Sequence, residues 1–176
     1  MKIIPLKEIK DLFPLETLVR YRMELHYPYF EYESALLIEE DCEIENLNLD
    51  LVSDAFSIVE KGQFINTILC LKNCKAKNIF NENDNDSCGL IVLGNLNCEN
   101  MVVGGQDIFI QGDLTVEECF WGHYNHGNLT VKGKTKAKVF IATEAYHYDE
   151  HKINFDVIQT ITDFDSEEND EEISKD

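Results

Sequence analysis

The sequence predicts an all-β fold, a single-stranded parallel β-helix (solenoid) wound right-handed. Three observations predict it. Apolar residues recur in fixed columns at intervals near twenty residues, polar and apolar residues alternate inside each unit, and glycine followed by Asn or Asp marks a turn between columns. At 176 residues with 44% hydrophobic side chains, the chain has the size of one compact domain with a buried core.

Gly94, Gly112 and Gly133 define a reference column, which Glu40 and Lys72 join from earlier units at intervals of 32, 22, 18 and 21 residues. Four positions before it stand Leu36, Ile68, Leu90, Ile108 and Leu129, and two before it Ile38, Cys70, Val92, Ile110 and Val131. Two after it come Cys42, Cys74, Leu96, Leu114 and Thr135, and four after it Ile44, Ala76, Cys98, Val116 and Ala137. Seven after it come Leu47, Ile79, Met101, Cys119 and Phe140, so Thr135 alone departs from an apolar inward set. The residues between these columns after the turn are mostly polar, as a period of two requires of a strand with one buried face. No strict six-residue repeat appears, and the irregular spacing fits a right-handed coil. A unit this short cannot bury its inward face alone and must stack on its neighbours.

The turns carry their own chemistry. Glycine in the reference column, followed by Asn95 or Asp113, predicts a positive φ at that residue. Asn46, Asn78 and Asn100 share the column six after the reference, where stacked coils would form an amide ladder.

Three regions follow in order. Residues 1–35 form a capping segment, with a helix beginning at Pro14 that places Leu15, Leu18, Val19 and Met23 on one face, followed by an aromatic run from His26 to Tyr32. Residues 36–162 form the solenoid, interrupted by an insertion around Leu49 to Thr67 and by a solvated loop from Asn81 to Ser87. That loop lacks the Gly and terminal Glu of an EF-hand. Ile153, Phe155 and Val157 alternate as a closing strand. Residues 163–176 hold eight acidic residues and one lysine and predict a disordered acidic tail.

Charge and composition exclude several functions. Fifteen Lys and Arg against 34 Asp and Glu give a net charge of -19, with a pI near 4.5. Such a chain repels nucleic acid and anionic membranes and favours a basic protein partner. No stretch approaches the roughly 20 apolar residues of a membrane span. Lys7, Glu8, Lys10 and Asp11 interrupt any signal-peptide core, so the cytoplasm is the expected compartment. Six cysteines without an export signal read as free thiols, five of them in columns that want small apolar side chains. Cys70 and Cys74 are the one closely spaced pair; no second pair follows to complete a zinc ligand set, so a structural zinc site is not expected and the thiols read as small buried hydrophobes.

Candidate binding chemistry concentrates in Trp121-Gly122-His123-Tyr124-Asn125-His126-Gly127 and in Tyr146-His147-Tyr148. Trp121, His123, Tyr124, His126, Tyr146, His147 and Tyr148 are the candidate partner-binding residues. Because His126 and His147 lie 21 apart, like Gly112 and Gly133, their imidazoles would stack about 4.8 Å apart on adjacent coils. His123, His126 and His147, with Asp149 and Glu150, are weak candidates for a divalent-metal site. A hydrogen-bonded corner that pins the turn is the favoured reading, so no metal or other cofactor is expected. Cys119 precedes His123 by four but occupies an inward column, where a thiol is inert. No nucleophile elbow, phosphate-binding loop or His-Glu-x-x-His motif is present, and a non-enzyme is expected.

The stretch from Leu90 to His147, with Leu93-Gly94-Asn95-Leu96, Gly112-Asp113-Leu114-Thr115-Val116, Gly122-His123-Tyr124-Asn125-His126-Gly127 and Val131-Lys132-Gly133, resembles a bacterial group of small β-solenoid proteins. These are labelled polymer-forming cytoskeletal or bactofilin-like. The resemblance implies a non-enzymatic protein, in a group sometimes encoded beside polymorphic or contact-dependent toxins. The expected function is therefore an immunity or antagonist protein that neutralises a basic toxin, such as a nuclease, through an acidic surface. The alternative is a structural, self-assembling or scaffolding solenoid, which would homo-oligomerise, and the third is a His-dependent metal or sugar binder. A charge of -19 and capped ends argue against self-polymerisation.

Overall fold

The computed structural model describes residues 1–14, 33–83, 88–124, 126–143 and 146–148, and the backbone of 153–158. It is a β-solenoid built from two sheets. The strands are β1 (Lys2–Pro5), β2 (Ser34–Ile38), β3 (Cys42–Asn48), β4 (Thr67–Cys70), β5 (Cys74–Phe80), β6 (Gly89–Val92), β7 (Leu96–Val103), β8 (Asp107–Ile110), β9 (Leu114–Gly122), β10 (Asn128–Val131), β11 (Thr135–Ala142), β12 (His147–Tyr148) and β13 (Ile153–Ile158). One sheet runs β1-β2-β4-β6-β8-β10-β12 and the other β13-β11-β9-β7-β5-β3. Each rung therefore contributes a short strand to the first sheet and a longer one to the second. All pairings are parallel except β1 with β2.

The register follows the apolar columns. Leu36, Ile68, Leu90, Ile108 and Leu129 are successive partners in the first sheet, and Ile44, Ala76, Cys98, Val116 and Ala137 in the second. All of these residues are buried. The column seven after the turn needs one correction, because β9 carries an extra residue between Val116 and Cys119. Phe120, not Cys119, pairs with Met101 and Phe140, and its ring stacks on Phe140 at 4.5 Å and 9°. Admitting Glu117 and Glu118 as a β-bulge keeps the larger apolar ring inside. Cys119 is displaced into the asparagine column and is half-buried.

Strands β4, β6 and β8 are buried on both faces. Their inward residues meet the second sheet, while Ala35, Leu37, Leu69, Ile91 and Phe109 point the other way into a separate cluster. That outer cluster is closed by Ile4 of β1, by Leu6 and Ile9 of a 3-10 turn at Leu6–Asp11, and by Phe13. Phe13 meets Phe109 edge-on at 4.7 Å, and Lys132 Nζ lies 5.8 Å above the same ring. The N-terminal segment thus straps the flank of four rungs.

The end of the solenoid at the first rung is covered by the insertion. Val52 of α1 (Val52–Ala55), Phe56, Val59 and Ile65 pack into the main core beside Leu36, Ile38, Ile44 and Leu47. Leu36, Ile38, Ile44 and Leu47 are buried as a result, as a solenoid end requires, while Cys42 stays half-buried. The expected helix from Pro14 to Met23 and the aromatic run to Tyr32 fall outside the described residues from position 15 on, as does the acidic tail. Among the described residues, no helix is long and apolar enough to cross a membrane.

Two polar ladders tie the corners together. Asn78 Nδ2 donates to Asn46 Oδ1 at 2.8 Å and Asn100 Nδ2 to Asn78 Oδ1 at 3.0 Å, the amide ladder that the column predicts. At the turn, the backbone N–H of Asn73 donates to Asp41 Oδ1 and that of Asn95 to Asn73 Oδ1, each at 3.0 Å. The backbone N–H groups of Asp113 and Lys134 continue the series onto Asn95 and Asp113, each at 2.8 Å. The reference glycines have a different reason from the one expected. None of the three takes a positive φ; among the described glycines Gly62 does. A Cβ on Gly94 would lie 2.6 Å from the Lys72 carbonyl carbon, and one on Gly112 or Gly133 2.5 Å from the preceding glycine's carbonyl oxygen. Glycine is required there by the close approach of one rung's backbone to the next.

Candidate functional site

The aromatic and histidine-rich segment forms one corner of the C-terminal rungs. Trp121 lies near the end of β9 between Val102 and Ile141, with its ring 41% exposed. Its indole Nε1–H donates to Thr143 Oγ1 on the next rung at 3.1 Å, and the ring meets His123 edge-on at 5.5 Å. His123 is half-buried and anchored by its backbone N–H to the Val103 carbonyl at 3.0 Å. A tight turn follows, closed by the Gly127 N–H on the Tyr124 carbonyl at 2.9 Å. Tyr124 and the exposed His126 stand edge to face at 5.0 Å on this turn.

Tyr146 is placed inside, beneath this face. Its ring lies edge-on to Phe120 at 5.9 Å, and a Cβ on Gly122 or Gly127 would collide with it at 2.4 and 2.3 Å. Glycine at both positions makes room for the ring. Burial pushes the Tyr146 hydroxyl well above the ordinary tyrosine pKa, with the nearby Asp107 carboxylate adding to the rise. Its hydroxyl has no hydrogen-bond partner among the described residues. Tyr148 is half-buried against Phe140 at 4.8 Å, and His147 is exposed beside it. Two ring pairs, Trp121 with His123 and Tyr124 with His126, thus stand at this corner over the buried Tyr146, while His147 lies beside Asn128 in the first sheet.

The register separates the two histidines expected to stack. His147 pairs with Asn128 and Tyr148 with Leu129, so the last rung is 19 residues from its neighbour instead of 21. His126 precedes that pairing by two residues and sits in the turn. Among the described residues, none of His123, His126 and His147 joins two further His, Cys, Asp or Glu donors in a metal-sized group, while Asp149 and Glu150 lie outside them. Asn128, Thr130, Lys132, His147 and Tyr148 instead line a shallow cleft of about 320 Å³.

The second sheet does not present a plain acidic field on its outer face. Lys75 pairs with Glu43 at 2.7 Å and Lys138 with Glu118 at 2.6 Å, and Lys72 pairs with Glu40 at the turn. Such solvent-exposed pairs add little to stability but partly neutralise the surface. Glu43 is held below the usual carboxylate range by the hydrogen bond and charge of Lys75.

A second cluster, not expected as such, lies at the first two rungs. Cys70 ends β4, Cys74 begins β5 across the turn, and Cys42 at the start of β3 is the direct register partner of Cys74. Their three sulfurs lie within 4.8 Å of one another. Cys70 and Cys74 are buried, while Cys42 is half-buried beside a cleft of about 600 Å³ lined by Glu40, Asp41, Glu43 and Asp54. Hydrogen bonds from the Cys70 and Cys74 thiols pull the Cys42 thiol below its ordinary value. The same bonds to Cys42, together with burial, push Cys70 and Cys74 up. The sequence showed only the Cys70–Cys74 spacing as a pair. The signal for the third thiol was in the columns, because Cys42 occupies the position of Cys74 one rung earlier.

No known protein family, curated protein or solved structure matches the chain.

Proposed function

We propose that this chain is a non-enzymatic, protein-binding solenoid, an immunity or antagonist protein that neutralises a basic toxin such as a nuclease in the cytoplasm. The observation that carries the reading is Trp121. The residue is 41% exposed, its indole is held by Thr143 on the next rung, and its ring meets His123 edge-on. Exposed aromatic anchors on rigid elements are the residues that dominate protein interfaces. The net charge of -19 supports a basic partner, whose approach it would accelerate in a salt-sensitive way. The resemblance to bactofilin-like solenoids supports a non-catalytic role. Burial of the first-rung end beneath the insertion favours a binding protein over one that polymerises through that end.

The test is affinity capture at low and moderate salt, followed by calorimetry with the basic protein recovered and an assay of its toxicity. Trp121→Ala is expected to weaken that complex by at least about 30-fold, the loss of a central anchor. Unchanged affinity would remove this face as the interface. Recovery of the chain alone, as assemblies that grow with concentration in light scattering, would overturn the reading in favour of a scaffold.

A further inference from the structure

We propose that Cys42, Cys70 and Cys74 form a trithiolate site for one soft divalent cation of the zinc class. The inference is independent of the partner-binding reading, because the cluster lies at the opposite end of the rung series from Trp121.

The geometry is that of a site nearly formed. Three sulfurs within 4.8 Å of one another need to close to about 3.8 Å, the edge set by a metal–sulfur distance of about 2.3 Å in a tetrahedron. The remaining difference is about 1 Å between sulfurs. The backbone beneath them is fixed: Cys42 and Cys74 are ladder partners, and the turn between Cys70 and Cys74 is pinned by Asp41 Oδ1, which accepts from both the backbone and the side-chain nitrogen of Asn73. Ligands held on strand ends by a ladder are pre-organised in the way a metal site demands.

The columns supply a second observation. The position of Cys70 is Ile38, Val92, Ile110 and Val131 in the other rungs, and that of Cys42 and Cys74 is Leu96 and Leu114 in the next two. Core filling puts branched side chains at these places, Thr135 in the last rung of the second column included. Sulfur replaces them at three positions that converge on one point.

The metal class follows from softness and charge. Thiolates select zinc-like or cuprous ions over hard cations. Three thiolates around a divalent ion leave one net negative charge, against two around a monovalent ion, and the more nearly neutral assembly is favoured where two ligands are buried. Cys42 opens toward the cleft lined by Asp41 and Asp54 beside the lysine-paired Glu40 and Glu43, which leaves a fourth coordination position on the solvent side. A bound ion would join β3, β4 and β5 and so fasten the first rung to the second.

Reduced, metal-free full-length protein titrated with Cd²⁺ under anaerobic conditions should develop a thiolate charge-transfer absorbance that saturates at one ion per chain, and Zn²⁺ should displace it. Zn²⁺ should also raise the melting temperature. Cys42→Ser, a half-exposed position whose folding is checked by circular dichroism, should weaken binding by well over tenfold and abolish the thermal shift, and Cys42→Ala should do the same. Cys119→Ser, outside the cluster, should bind as the native chain does. Absence of saturable Cd²⁺ and Zn²⁺ binding, or equal affinity in the native chain and Cys42→Ser, would overturn the proposal.

Discussion

The first two rungs and the last two are built on the same columns and filled with opposite chemistry. Around β3 and β5, Cys42, Cys70, Cys74 and Ala76 give a core of small and polarisable side chains, and the corner outside it is an amide ladder. Around β9 and β11, Phe120 and Phe140 stack, Tyr146 closes over them, and Cys119 and Val139 stand where asparagine stood. The parallel ladder decides where each side chain points, and each rung decides independently how to fill the space. A rung that closes its core with rings must give up side chains elsewhere, at Gly122 and Gly127. The rungs filled with small thiols instead carry the asparagine ladder at their outer corner.

The sharpest way to break this comparison is to empty the aromatic rungs. Phe120→Ala should lower stability by about 3–5 kcal/mol in urea denaturation, because the ring is fully buried and its neighbours are held by the ladder. A loss below about 1 kcal/mol would show that the stack contributes no more than a small residue. The polar corner should respond less. Asn78→Ala removes two ladder hydrogen bonds and should cost about 1 kcal/mol, roughly twice the effect of Asn46→Ala, which removes one. Equal effects would mean that the bonds do not act as a ladder. Tyr146→Phe should raise stability by up to about 1 kcal/mol near neutral pH, since it removes a buried hydroxyl that lacks a partner among the described residues. The folded state holds the Tyr146 pKa above its unfolded value, so its contribution is complete below pH ~10 and is lost as pH rises further. Melting curves of Tyr146→Phe should therefore fall less steeply with pH above about 10 than those of the native chain.

Much of this was legible in the sequence because a period of two, repeated at near-constant intervals, leaves little freedom in register. The columns from Leu36 to Val131 and the Asn46–Asn78–Asn100 ladder appear in the structure as read. An alignment without gaps could not show the extra residue in β9, and so placed Cys119 where Phe120 belongs. The two missing residues before β12 likewise separated His147 from His126. The strap was visible in principle: Leu37, Leu69, Ile91 and Phe109 are apolar at positions that alternation should leave polar, the mark of a sheet covered on both faces. The thiol cluster needed two columns to be read across a turn and across a rung at once, which spacing along the chain alone does not reveal.

The N-terminal strap has a consequence for biosynthesis. Leu6, Ile9 and Phe13 are synthesised before the surface they cover, which extends to Phe109 and is complete only when about a hundred further residues have been added. At ordinary elongation rates that interval is roughly 5–20 s. During it the apolar side chains of the segment have no completed surface to cover. Final docking of the strap would then mark the completion of the first four rungs, coupling units that a simple stack would let fold one at a time.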